Sequence, residues 1–217
     1  MTDTRSAELL HDHWQWRPDW EVDRPYLLWY VDVQAPPGLA DWLAETTARW
    51  RDEPVVDPVP LEWLHLTLDD VEFTDRMSPE RTDEVVAAAR NALDRWPASS
   101  LTLGPVGPMG DAVVLHAGDD GQLARVRDRL RAATAQVLGP GALTELQTFD
   151  PHVSVGYVND TCDPRRLLDP LDDLRDREFN TIVHQVTLAA VTRRDRHYQW
   201  LPYDTIALDH ERAAAPA

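Results

Sequence analysis

Two short stretches of the chain, His65-Leu66-Thr67-Leu68 and His152-Val153-Ser154-Val155, carry the same order of residue types: histidine, apolar, small hydroxyl, apolar. Successive side chains of a strand point to opposite faces, so histidine and hydroxyl share one face while the apolar pair enters the core behind it. Each stretch thereby offers an imidazole and a hydroxyl about 7 Å apart on a rigid backbone, at roughly 3.3 Å of rise per residue. Two such pairs facing each other would form a cleft suited to opening a phosphodiester. A neutral imidazole takes a proton from the attacking water, and a protonated imidazole opposite gives one to the departing ribose oxygen. An ordinary histidine pKa of about 6.5 lets both forms exist around neutrality. Thr67 and Ser154 would donate to the non-bridging phosphate oxygens, whose charge must be held through the transition state. Neither a metal nor a covalent nucleophile is required.

The elements that must position these residues can be read from patterning. Residues 26–33 are aromatic and β-branched, which predicts a buried strand. Leu39, Trp42, Leu43, Thr46 and Trp50 repeat at helical spacing until Pro54, Pro58 and Pro60 forbid continuation. Residues 61–72 read as the strand carrying the first motif. Ser78 and Pro79 start a second helix with Val85, Ala89, Leu93 and Trp96 on one face. Paired strands follow at 100–106 and 112–117, then a helix striped by Leu123, Val126, Leu130, Ala133 and Val137 and stopped at Gly139. Strands at 152–158, 182–191 and towards 208 complete a mixed order without a linker, which predicts α+β or α/β.

The chain has 217 residues, 43% apolar and 27% charged, so it should form one folded unit with a real core. Its 38 acidic against 21 basic residues give a net charge of −17, which makes long duplex nucleic acid a poor partner. All the basic residues are Arg, which removes Schiff-base lysine chemistry. Cys162 is the only cysteine, consistent with a reducing compartment, and no apolar run approaches membrane-spanning length. A cytoplasmic monomer without a membrane partner is expected. Trp14, Trp16 and Trp20 predict that residues 1–24 form an arm packed on the domain at 25–210, with a loose tail at 211–217.

The paired motifs resemble the 2H phosphoesterase superfamily, and within it the 2'-5' RNA ligase-like proteins. The resemblance runs from the opening strand through Val59-Pro60-Leu61-Glu62-Trp63-Leu64 before His65, Leu103-Gly104-Pro105, and Phe149-Asp150-Pro151 before His152, as far as about residue 209. It implies two pseudo-symmetric lobes of antiparallel sheet with flanking helices around a central cleft. It also implies His65 and His152 as the general acid/base pair, Thr67 and Ser154 as phosphate-binding hydroxyls, no metal or other cofactor, and a small nucleotide or RNA end as substrate. The implied substrates are 2',3'-cyclic phosphates and 2'-5' phosphodiesters.

Two departures stand out. Asp69, Asp70, Val71 and Glu72 follow the first motif where members often have an apolar run ending in Gly. On an uninterrupted strand Asp69 shares the face of His65, where it would raise the imidazole pKa or repel phosphate, unless it bulges outward. Gly156 and Tyr157 follow the second motif in place of a basic residue, so countercharge must come from elsewhere. Arg193 and Arg196 are candidates for that charge, Tyr157 or Tyr198 for stacking a base, and Trp63 for a contact on the active face. His11 and His13 read as part of a solvated arm, without enough ligands for a metal. Ligation in the reverse direction, a binding module without turnover, and an enzyme of specialised small-molecule metabolism are the alternatives.

Overall fold

The computed structural model describes residues 8–15, 20–33, 36–143 and 148–209. Trp16, His210 and the tail expected at 211–217 lie outside them.

Strand β1 (Tyr26–Asp32) is buried along nearly its whole length, as its apolar run demands. Helix α1 (Leu39–Arg49) buries Leu39, Trp42, Leu43 and Thr46 on one stripe and ends before Pro54. A short strand β2 (Val56–Pro58) precedes β3 (His65–Phe73). The expected strand over 61–72 therefore starts late, because Leu61–Trp63 close a 3-10 turn. Helix α2 (Pro79–Ala92) is capped by Ser78, whose side chain accepts from the Arg81 amide, with Pro79 in the first turn. Strands β4 (Ser99–Met109) and β5 (Ala112–Gly118) form a hairpin, and α3 (Gln122–Leu138) follows, ending at Gly139. Then come β6 (His152–Val158), the short α4 (Arg165–Leu168), β7 (Phe179–Val183), β8 (Gln185–Arg194) and β9 (His197–Ala207).

The strands form two antiparallel sheets, one ordered β3-β1-β8-β9 and the other β2-β6-β5-β4-β7, so the fold is α+β with two lobes. The expected strand over 182–191 is in fact two strands, since the chain passes from one sheet to the other at His184. Helices α2 and α3 pack together, and α3 lies against β3. Helix α1 serves the other sheet: the Trp42 indole donates to the Leu174 carbonyl and meets the Phe179 ring of β7 edge-on at 5.6 Å. Trp50 donates to the Leu167 carbonyl and covers β6 at Gly156. A Cβ there would lie 2.9 Å from the Trp50 ring and 2.8 Å from Val56, so only glycine permits this approach. The N-terminal segment joins the same lobe through paired backbone hydrogen bonds between Leu10 and Cys162.

Candidate active site

The two motif strands come from different sheets, and β3 and β6 approach within 8 Å between Cα atoms. His65 and His152, with Thr67 and Ser154, line one pocket of about 220 Å³. Behind them Leu66, Leu68, Val153 and Val155 are buried, which holds the polar residues on the open face. The two imidazoles are anchored alike. His65 Nδ1 lies 2.9 Å from the Trp63 carbonyl, and His152 Nδ1 lies 2.8 Å from that of Asp150. A carbonyl only accepts, so each Nδ1 carries a hydrogen and each Nε2 is left as the exchangeable position. Burial pushes the His65 pKa below the ordinary histidine value, and the neighbouring His152 pushes the same way, against the Trp63 hydrogen bond. The Tyr30 ring, edge-on to His65 at 6.1 Å, is part of that apolar surround.

Both strands are irregular at the same point of the motif. Across β1, Tyr30 pairs with Thr67 and Trp29 with Asp69, so Leu68 is an extra residue. Across β5, Val114 pairs with Ser154 and Val113 with Gly156, so Val155 is the extra residue. Each bulge reverses the alternation beyond it. The third residue after the hydroxyl then reaches the pocket: Asp70 in one strand and Tyr157 in the other. The expectation that Asp69 shares the face of His65 is corrected by this bulge. Asp69 is buried on the opposite side against α3, 3.1 Å from Arg131 and 3.7 Å from Arg127. Burial still raises its carboxyl above the usual range, with both arginines opposing.

Of the other residues singled out, Tyr157 and Tyr198 line the pocket, whereas Trp63, Arg193 and Arg196 do not. Trp63 lies in the 3-10 turn, edge-on to Trp200 at 5.8 Å, and offers the site its carbonyl. Arg193 is buried, donating to the carbonyls of Trp20 and Trp14, so it ties down the N-terminal segment. Arg196 sits in the β8–β9 hairpin turn, where Asp195 and Arg196 both have positive φ, and pairs with Asp57 at 3.5 Å. Sequence reasoning missed His13, expected to be solvated. It is buried, stacked on Tyr157 at 4.3 Å, and lines the pocket together with Trp20. The aromatic density around it was the available signal. A second hollow, sharing His13, His152 and Ser154 with the pocket, extends past Met109 and Asp111. Among the described residues, no three His, Cys, Asp or Glu side chains group to hold a metal ion.

Two antiparallel lobes that present His-x-Thr and His-x-Ser to one pocket define the 2H phosphoesterase architecture. The chain belongs to the 2'-5' RNA ligase superfamily, whose family model matches residues 36–212. No curated protein sequence matches it. Among solved structures it is similar to TT0787 of Thermus thermophilus, with a TM-score of 0.65 at 18% identity over 86% of this chain and 99% of that one. E. coli LigT complexed with 3'-AMP is similar with a TM-score of 0.61 at 19% identity, over 86% of this chain and 99% of LigT. No helix among the described residues is long and apolar enough to cross a membrane.

Proposed function

We propose that the chain is a metal-independent phosphodiesterase that opens a 2',3'-cyclic phosphate or a 2'-5' phosphodiester in a small nucleotide or RNA end. The observation that carries this reading is the pair of imidazoles on one pocket, each anchored through Nδ1, with Thr67 and Ser154 beside them. Family membership and the likeness to LigT, solved with 3'-AMP and with phosphate, support the substrate class. The pocket of about 220 Å³ has room for a phosphate with part of its sugar, and the adjoining hollow that shares His152 and Ser154 offers space for more of the substrate.

In the hydrolytic direction the neutral, half-buried His65 is the base and His152 the acid. Water attacks phosphorus as its proton passes to His65 Nε2, the bond from phosphorus to the leaving ribose oxygen breaks, and His152 Nε2 supplies that oxygen with a proton. Thr67 and Ser154 donate to the non-bridging oxygens. Proton exchange with solvent resets both imidazoles. We place the protein in the cytoplasm, where its one buried thiol at Cys162 stays reduced.

Purified protein should open nucleoside 2',3'-cyclic phosphates with a bell-shaped pH profile, and chelator should leave the rate unchanged. His65→Ala and His152→Ala should each lower kcat by about 10²–10⁴-fold. Nucleotide binding that survives both substitutions, with no product at any pH, would replace the enzyme by a binding module.

A further inference from the structure

The hollow beside the pocket has a volume of about 660 Å³ and borders His152 and Ser154 but neither His65 nor Thr67. Displacement at phosphorus runs in line, with the attacking water opposite the leaving oxygen. With His65 as base and His152 as acid, the leaving oxygen and the ribose that carries it lie on the His152 side. The hollow opens on that side. Its volume falls within the roughly 300–1,000 Å³ of small-ligand sites, so it has room for a nucleoside whose phosphate occupies the pocket.

Its walls are the end of the β4–β5 hairpin, from Met109 to Ala112, and the N-terminal residues His11 to His13, which precede the matched residues 36–212. The N-terminal wall is fixed in place. The His11 amide donates to the Gly110 carbonyl at 3.2 Å, Leu10 and Cys162 exchange backbone hydrogen bonds, and Arg193 donates to the Trp14 carbonyl. Asp12 accepts from the Trp14 amide through Oδ1 and from the Gln15 side chain through Oδ2, so its carboxylate closes the turn of this segment. Asp111 stands in the hairpin turn with its side chain 31% exposed and Oδ1 3.1 Å from His13 Nδ1. Met109 gives an apolar, adaptable face for a flat ring. No arginine is among the described residues lining the hollow, so a second phosphate there would meet two carboxylates and no guanidinium. Ribose hydroxyls and the amino groups of a base would instead find acceptors.

We propose that this hollow is the subsite for the nucleoside bearing the leaving oxygen, and that Asp111 makes it selective for a nucleoside without any phosphate beyond the reacting one. The proposal rests on the acid and base roles given above to His152 and His65. It narrows the substrate to cyclic phosphates or 2'-5' linkages whose leaving nucleoside ends in a free hydroxyl, and it makes the N-terminal segment part of substrate recognition.

The test uses the full chain and its Asp111→Asn, Asp111→Arg and Met109→Ala variants. Each is assayed on adenosine 2',3'-cyclic phosphate, on the same compound phosphorylated at the 5' position, and on methyl riboside 2,3-cyclic phosphate, which keeps the reacting ring but lacks a base. The parent should favour the compound without the 5'-phosphate by about tenfold in kcat/KM, expressed in KM. Asp111→Asn should bring that ratio towards one, and Asp111→Arg should reverse it. Met109→Ala should raise KM for the nucleoside several-fold more than for the base-free substrate. A ratio that neither Asp111 variant moves would overturn the proposal, and so would losses of equal size on all three substrates, which would assign these residues to the fold alone. Absence of turnover in the parent would instead overturn the enzymatic reading. Affinities for adenosine 3'-phosphate and adenosine 3',5'-bisphosphate would then decide on the subsite, with a preference reversed by Asp111→Arg supporting it and an unchanged preference, or no binding of either, rejecting it. Should Asp111→Arg not fold, the isosteric Asp111→Asn carries the same comparison.

Discussion

Each motif histidine is the first residue of its strand, His65 of β3 and His152 of β6. The carbonyls two residues earlier, of Trp63 and Asp150, precede the ladders and are open to a hydrogen bond from Nδ1. One backbone device therefore sets both tautomers, and desolvation favours the neutral form of His65. Its pKa in the fold lies below the ordinary value of about 6.5, so between those values the unfolded chain binds more protons and stability rises with pH. Acidification from about pH 7 to about pH 5.5 should lower the denaturant midpoint, and less so in His65→Gln. The acid limb of kcat/KM should fall below about pH 6.5, where His65 begins to take up its proton before the reaction.

At the scale of elements, the bulges at Leu68 and Val155 decide which side chains the strands present to the pocket. Two adjacent carboxylates consequently have different fates. Asp69→Ala removes a buried carboxylate paired with Arg131 and Arg127 and should destabilise the fold by about 1–3 kcal/mol in denaturant titrations. Activity of the folded fraction should be retained. Asp70→Asn removes a negative charge from the pocket and should tighten inhibition by inorganic phosphate several-fold with little change in stability, since the carboxylate repels the anion at short range. Gly156→Ala pushes a methyl group into Trp50 and Val56 and should cost about 1–3 kcal/mol, measured the same way. A glycine inside a strand, such as Gly156 beside Val155, often marks a bulge. Nothing comparable marks Leu68, because an apolar residue reads the same whether it is paired or bulged.

For the whole molecule, charge bears on substrate size. The net charge is −17, Arg193 and Arg196 are engaged away from the pocket, and Asp70 is in it. A groove following many phosphates would have a steep salt dependence, roughly 0.7 units of log affinity per unit of log salt for each phosphate of a single strand. Recognition of one phosphate predicts a slope of about one or less when KM is followed against salt concentration. A slope of several units would reveal a basic path for RNA.

The chemistry-bearing pairs His65/Thr67 and His152/Ser154, the buried helix stripes and most strands were legible in the chain because alternation and helical periodicity are local consequences of backbone geometry. The family resemblance anticipated the two lobes. Which sheet each strand joins, the crossing at His184, the bulges that exchange Asp69 for Asp70, and the packing of His13 against Tyr157 and Tyr198 depend on residues as far as 185 positions apart. Such contacts form only when the lobes close on each other, and no local pattern encodes the free energy that selects them.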